Sequence, residues 1–267
     1  MSISKDQSIG ILESLGTLLV IYFNWVGFRN ANINQDTSNL PLLLGLLNFA
    51  SFFIVLLTAG RNYLPHLNPA VTLAFLAFGE TRPAQAKQMF LSQLEAALVA
   101  VGLVLLGSLT SFTDQISGTV RIVASLLDDQ SSPEHPDETF YFRRIFLGFL
   151  SAFLFGAFYA IGSKRFNEAR LRFALMISTL VFAITAAFSG LTLGCLNPLF
   201  FLPFTIASLY FRADHLIFYL AVPIVGTFLG TYFGLVVMKD FNVQEKLQAD
   251  VVVDLDLIKQ KDLQFEY

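Results

Sequence analysis

Residues 66–72 read His-Leu-Asn-Pro-Ala-Val-Thr, and residues 196–198 repeat the tripeptide Leu-Asn-Pro 129 positions further along the chain. Both copies interrupt long apolar stretches. Asparagine is a preferred N-cap of helices, and proline is favoured at the first helical position, where no N–H is needed. Asn68-Pro69 and Asn197-Pro198 therefore each predict the start of a short helix inside an apolar segment.

The composition places these segments in a membrane. The chain has 267 residues, of which 55% are hydrophobic and 14% charged, whereas a soluble domain carries about 25% charged residues. A net charge of −3 with scattered Lys and Arg argues against a nucleic-acid-binding face. One cysteine excludes an internal disulfide, and the three histidines are too far apart for a metal site. We predict an integral multi-pass membrane protein without a cofactor.

Uncharged runs predict the number of membrane spans, because a crossing helix needs about 20 mostly apolar residues. Pro65 and Asn68-Pro69 break the run 62–79 into pieces too short to cross the membrane. The 39 residues of the run 173–211 would form a helix of about 58 Å, so this run must turn. We predict an all-α membrane protein with six transmembrane helices and two half-helices. The uncharged runs are 14–28, 37–60, 62–79, 96–113, 145–163, 173–211 and 215–238.

Two half-helices in corresponding halves of the chain indicate an inverted repeat whose halves meet at the bilayer midplane. Irregular backbone at that depth is tolerated only where it is buried in protein or lines a watery cavity. The positive ends of the two half-helices would face each other and disfavour cations and protons. We expect a transmembrane domain at 9–238, with repeats at about 9–112 and 140–238.

The loops predict the topology. Twelve Lys and Arg residues lie on the side that holds both termini, and five lie on the other side. This bias places the termini, including the segment 1–8, in the cytoplasm or the equivalent compartment. The segment lacks the basic start and the cleavage site of a signal peptide. The membrane itself stays open: the plasma membrane, or an organelle membrane such as the mitochondrial inner membrane.

These residues also resemble a known family. Residues 66–72 are similar to the first signature of the major intrinsic protein family, the aquaporins and glycerol facilitators. Residues 13–17, Glu-Ser-Leu-Gly-Thr, resemble the family's glutamate motif in the first span, and Gln93 resembles the glutamine of the third. His215 and residues 223–226 resemble parts of the sixth span. The resemblance covers residues 9–238 and implies an aquaporin-like fold and a passive channel for water or small neutral solutes.

The resemblance further implies which residues line the pathway. Asn68 and Asn197 would donate side-chain hydrogen bonds to a single file of solute, and His66 would either line a vestibule or cap the half-helix entry. Counting back from the asparagines gives the positions of the narrowest constriction. These are Asn48, Thr185, Gly194 and Phe200.

The second signature departs from the family pattern. Where the family has Asn-Pro-Ala-Arg, this chain has Asn-Pro-Leu-Phe at 197–200. The arginine repels cations and donates hydrogen bonds to the permeant, and Phe200 can do neither. We therefore expect a channel of low or altered permeability. The alternative is a pore-degenerate protein that serves as a structural subunit of a larger membrane complex.

Support of the half-helix loops differs between the two halves. Glu13 and Thr17 lie four residues apart, on one helix face, and can reach backbone N–H groups of the first loop. Their counterparts in the fourth span are Gly148 and Ala152, so the second loop must be held by other means. We interpret Glu13 as a support rather than a transport residue. Gln93, Pro69 and Pro198 complete the predicted support set.

The remaining expectations concern partners. We expect membrane lipids around the chain, and a homotetramer or other membrane-complex subunits as protein partners. The acidic tail 239–267 alternates acidic and apolar residues from Asp250 to Ile258, so it either docks on a partner or is simply solvated. Neither a nucleophile–base pair nor a phosphate-binding glycine loop is present, and we predict no enzyme activity.

Overall fold

The computed structural model describes residues 5–34, 38–59, 63–109, 138–166, 169–192, 196–199 and 220–240. Regular structure in these ranges is helical throughout. The acidic tail beyond Asp240, residues 110–137, Gly194 and Phe200 lie outside the described residues. The seven helices are α1 (Lys5–Asn34), α2 (Leu40–Thr58), α3 (Pro69–Ala77), α4 (Pro83–Leu109), α5 (Glu138–Arg165), α6 (Arg170–Thr192) and α7 (Val222–Asp240).

Five of these helices are long and apolar enough to cross a membrane: α1, α2, α5, α6 and α7. Helix α4, which corresponds to the remaining predicted span, has 27 residues. It would measure about 40 Å, which is long enough to cross. Its first half carries Lys87 and Glu95, both exposed on the surface of the protein.

The first interrupted run forms a half-helix, as predicted. Residues 63–67 form a loop without regular secondary structure, and α3 begins at Pro69 with Asn68 as its N-cap. The Asn68 side chain accepts a hydrogen bond from the Ala70 N–H at 2.9 Å, which satisfies one of the free donors at the helix start. With nine residues, α3 reaches only about 14 Å. It therefore enters the bundle without crossing it.

The second long run is also broken. Helix α6 ends at Thr192, and residues 197–199 form a turn at the second Asn-Pro pair. The run 173–211 is therefore not one continuous helix. The residues that would continue the second half-helix lie outside the described ranges.

The helices pack in the same way in both halves of the chain. In the first half, α1 packs against α2 and α4, and α3 lies against α4. In the second half, α5 packs against α6 and α7. Helices α2 and α6 join the two halves. This correspondence agrees with an inverted repeat, in which the half-helix of each repeat follows its second span.

Helices α5 and α7 approach each other closely along a stripe of glycines. Gly226, Gly230 and Gly234 are spaced four residues apart and share one face of α7. A Cβ atom at Gly230 would lie 2.0 Å from the Phe153 carbonyl oxygen, and one at Gly234 would lie 2.4 Å from the Ala157 carbonyl oxygen. Small residues let helix backbones pack this closely in a membrane, so no larger side chain fits here without separating the helices.

We expect Gly230→Ala to destabilise the protein, because the new methyl group meets backbone rather than a movable side chain. Overpacking of this kind costs about 1–3 kcal/mol. The measurement is the midpoint of thermal unfolding of the purified protein in detergent. Gly102→Ala is the matched control, since a Cβ at Gly102 on α4 would meet nothing within 4 Å. Equal midpoints for the two variants would contradict the close packing of α5 and α7.

Candidate pore site

The two Asn-Pro pairs meet inside the bundle. The Asn68 Nδ2 donates a hydrogen bond to the Leu196 carbonyl oxygen, and the Asn197 Nδ2 donates one to the Leu67 carbonyl oxygen, each at 2.7 Å. The two side-chain oxygens accept from the backbone N–H groups two residues further on, each at 2.9 Å. We call this reciprocal arrangement the asparagine brace. It brings together two tripeptides that are far apart in the sequence.

Asn68 keeps one donor beyond the brace. A primary amide carries two N–H groups, and the brace uses one of those on Asn68. Its second N–H has no partner within the part of the chain that the structure describes. The Asn68 side chain is 1% exposed, so this donor sits in the interior at the N-terminus of α3.

The backbone of Leu67, beside the asparagine brace, is strained. Its φ of 55° lies in the left-handed region, which is unfavourable for a residue with a branched side chain. Both of its backbone polar groups are bonded: its N–H donates to Glu13 at 2.8 Å and its carbonyl accepts from Asn197. These two bonds keep Leu67 in the conformation that turns the chain into α3.

Glu13 is the common acceptor for the first loop. Its carboxylate is fully buried and receives hydrogen bonds from the His66 N–H at 2.6 Å and the Leu67 N–H at 2.8 Å. Gln93 Nε2 on α4 donates at 2.8 Å, and the Tyr63 hydroxyl donates to the same carboxylate. All four donors belong to the loop or to α4. The geometry is therefore that of a support, which fixes the loop against α1 and α4.

Gln93 extends this support to the half-helix itself. Its Nε2 also lies 3.1 Å from the Thr72 hydroxyl, in the first turn of α3. Thr17 is different: its hydroxyl is buried and has no hydrogen-bond partner in the described ranges. The predicted support of the loop by Thr17 therefore has no counterpart among these hydrogen bonds, in which Glu13 binds both backbone N–H groups.

Two residues of the second half hold the carbonyl side of the same loop. The Tyr159 hydroxyl on α5 donates to the Pro65 carbonyl oxygen, and Arg170 Nη2 on α6 donates to the Tyr63 carbonyl oxygen at 2.6 Å. Sequence reasoning missed both residues. Their only signal is a hydrogen-bonding side chain within or beside an apolar run, and nothing in the sequence indicates a partner about a hundred residues away.

The fourth-span counterparts of Glu13 and Thr17 serve packing. Gly148 and Ala152 are both buried, and Ala152 lies against Gly226 on the glycine face of α7. Neither residue carries a polar side chain that could hold a loop. Helix α5 contributes Tyr159 instead, and it acts on the loop of the opposite half.

Two of the predicted constriction residues lie close together. Asn48 Nδ2 lies 3.4 Å from the Thr185 hydroxyl. Asn24, which sequence reasoning missed, exchanges two hydrogen bonds with Asn48, at 2.7 and 3.1 Å. All three side chains are buried. The signal for Asn24 was its strongly polar side chain in an apolar span, because such residues usually face the interior of a membrane bundle.

His66 lies between the loop and a cavity. Its backbone N–H is bonded to Glu13, and its Nδ1 lies 3.1 Å from the Thr72 hydroxyl. Its ring also lines a cavity of about 220 Å³ beyond the C-terminal half of α3. An ion pair between Lys164 and Glu80 lies among the lining residues of this cavity. The geometry therefore fits both alternatives for His66. Its contacts with Glu13 and Thr72 fit a cap at the entry of the half-helix, and its place in the cavity lining fits a vestibule.

We expect Glu13→Ala to be far more destabilising than Glu95→Ala. The first change leaves two backbone N–H groups and two side-chain donors without an acceptor, and each buried unpaired group costs roughly 1–3 kcal/mol. The second removes the same carboxylate from the exposed face of α4. The readout is the fraction of monodisperse protein after heating in detergent. Equal losses in the two variants would show that Glu13 does not hold the loop.

Comparison with known proteins identifies the family of this chain. The family model described as Major intrinsic protein matches residues 3–234. Among solved structures, the chain is similar to the aquaglyceroporin from Plasmodium falciparum, with a TM-score of 0.55 and 18% sequence identity over 84% of this chain and 92% of that chain. At this identity the likeness shows the fold. Among curated proteins, none matches the chain at a significant level.

The match covers both Asn-Pro pairs and all seven described helices, apart from the last residues of α7. The members of this family are channels in membranes, not enzymes. The aquaporin-like helical architecture, the apolar spans and the family match agree with one another. This chain is therefore an integral, multi-pass membrane protein that belongs to the major intrinsic protein family.

Proposed function

We propose that the protein is a passive channel for water or small neutral solutes, of low or altered permeability. The observation that carries this proposal is the asparagine brace. It holds the unused N–H of Asn68 in the interior, at the place where both half-helix segments meet. A solute that has left bulk water can accept a hydrogen bond there, which replaces part of its lost hydration.

The same place disfavours cations. The N-terminus of a helix carries a positive partial charge of about half an elementary charge, and α3 begins at the brace. No acidic residue lies in the first turn of α3. A neutral solute pays no electrostatic cost at this point, whereas a cation does. This supports water and small neutral solutes as the permeants.

Low permeability follows from the predicted constriction. The Asn48 amide is already bonded to Asn24 and Thr185, so it offers fewer donors to a passing solute. Phe200 stands where the family has an arginine, and a benzyl ring donates no hydrogen bond. A narrow apolar neck hinders a water file or dewets it. We propose that Phe200 lies beside the pathway on the side of the brace opposite to α3.

One observation favours the second function, a structural subunit of a larger membrane complex. Glu95 is exposed on α4, two residues after Gln93, which contacts Glu13 and Thr72 near the brace. Its position places an acid close to the middle of the bundle's height. Ionisable residues at that depth are costly in lipid and usually have a polar partner. A neighbouring subunit could supply that partner.

The channel proposal predicts slow osmotic shrinkage of proteoliposomes that contain the wild type, measured by stopped-flow light scattering. We expect Phe200→Ala to raise water permeability, because it widens the neck and removes apolar surface from it. Phe142→Ala is the control, since Phe142 is 70% exposed on α5 and lies outside the proposed pathway. Rapid water flux in the wild type would contradict the blocked neck and leave an ordinary channel.

A further inference from the structure

Two buried asparagines on neighbouring helices bond each other through both of their polar atoms. Asn24 Nδ2 on α1 donates to Asn48 Oδ1 on α2 at 2.7 Å, and Asn48 Nδ2 donates back to Asn24 Oδ1 at 3.1 Å. Asn48 Nδ2 also lies 3.4 Å from the Thr185 hydroxyl oxygen on α6. We call these three residues the amide clasp. It joins three helices, one of which belongs to the second half of the chain.

The backbone of α1 fixes which way both amides face. Asn24 Nδ2 also donates to the Val20 carbonyl oxygen, one turn earlier in α1, at 2.7 Å. A carbonyl oxygen only accepts hydrogen bonds, so the nitrogen of Asn24 must be the atom that faces it. The Asn24 amide then presents one N–H and its oxygen to Asn48, which must face them with its own oxygen and nitrogen. The orientation of Asn48 is therefore set from α1.

This orientation uses every amide N–H of the clasp. A primary amide has two N–H groups. Those of Asn24 are bonded to Val20 and Asn48, and those of Asn48 are bonded to Asn24 and Thr185. Each amide oxygen accepts one bond here, although such an oxygen can accept two. In the part of the chain that the structure describes, the clasp therefore keeps two acceptor positions and a single donor, the Thr185 O–H.

We propose that Asn24 determines the solute specificity of the pathway, by keeping both N–H groups of Asn48 away from the solute. This inference rests on the proposed channel function, which places Asn48 and Thr185 at the constriction. With its N–H groups occupied, Asn48 offers a passing solute an acceptor and no donor. Such a constriction favours neutral solutes rich in N–H groups, such as ureas and primary amides, relative to water. Asn24 is a positioning residue, because it acts through Asn48.

Replacement of Asn24 should add one donor to the constriction. In Asn24→Leu, the Asn48 N–H that was bonded to Asn24 becomes free, while the number of free acceptor positions stays the same. Urea has more donors than acceptors, whereas water has equal numbers, so water gains more from the added donor. We expect the ratio of urea permeability to water permeability to fall by about two- to tenfold, which is the range that one neutral hydrogen bond covers.

The experiment measures both permeabilities in proteoliposomes by stopped-flow light scattering, with a gradient of urea and with a gradient of an impermeant sugar. All variants carry Phe200→Ala, which the proposed function expects to raise the flux. Ser51→Ala is the matched control. It also removes a buried polar side chain, but the Ser51 hydroxyl donates to backbone carbonyls of its own helix, α2. We expect Ser51→Ala to leave the ratio unchanged.

A second comparison tests whether Asn24 acts through Asn48. Asn48→Leu removes the amide whose orientation Asn24 fixes, so Asn24→Leu should not change the ratio further in that background. An equal change in both backgrounds would overturn the inference, because Asn24 would then act without Asn48. A loss of stability alone would lower the amount of folded protein, and with it both permeabilities together, and would leave their ratio as it was.

Asn24→Ser is the second variant if Asn24→Leu folds poorly. A serine hydroxyl can bond a carbonyl one turn earlier in its own helix, but it is too short to replace both bonds to Asn48. It therefore also frees an Asn48 N–H, and we expect the ratio to fall as in Asn24→Leu. An unchanged ratio in correctly folded Asn24→Ser protein would count against the inference in the same way.

The outcomes separate this inference from the proposed function. If the Phe200→Ala protein conducts water but no urea, or if the Asn24 variants keep its ratio, the channel stands and the role of Asn24 is overturned. If the correctly folded Phe200→Ala protein stays at the level of protein-free liposomes for both solutes, the proposed function and the inference are both overturned. A fall of the ratio that disappears in the Asn48→Leu background supports both.

Discussion

The structure depends on one constraint: an irregular backbone at membrane depth must have its polar groups bonded by protein. Residues 63–67 meet this constraint from two sides. The N–H groups of His66 and Leu67 are bonded to Glu13 of the first helix, and the carbonyls of Tyr63, Pro65 and Leu67 are bonded to Arg170, Tyr159 and Asn197 of the second half. Without these bonds the loop would pay several kcal/mol for each unpaired group in lipid. The position of α3, the asparagine brace and the cavity beside His66 all follow from this loop.

Much of this architecture could be predicted from local signals in the chain. Apolar runs of sufficient length indicate spans, and Asn68-Pro69 is a helix start whatever its surroundings. The same reasoning indicated that the run 173–211 turns, because no bilayer is thick enough for so long a helix. Glu13 could be singled out because a buried acid in an otherwise apolar span needs donors. In each of these cases, the residues that indicate a structural feature lie in the same segment as that feature.

The rest could not be predicted because it depends on which residue meets which. The sequence shows that Tyr159 and Arg170 carry hydrogen-bonding groups. It does not show their partners, which lie 94 and 107 residues away in the chain. Thr17 has the right spacing to reach the loop, yet its hydroxyl has no hydrogen-bond partner in the described ranges, whereas Glu13 binds two backbone N–H groups there. Asn24 pairs with Asn48 across two helices. Residue type sets what a side chain can bond, and only the packing of the helices decides what it does bond.

The distribution of these bonds along the chain has a consequence for biosynthesis. The loop before α3 is synthesised early, but its carbonyl partners emerge from the ribosome only after roughly a further hundred residues. At about 5–20 residues per second, this takes on the order of ten seconds. During that interval the carbonyl groups of the nascent loop lack the partners that they have in the finished protein. The loop before α3 is therefore completed only when Tyr159, Arg170 and Asn197 of the second half have joined it.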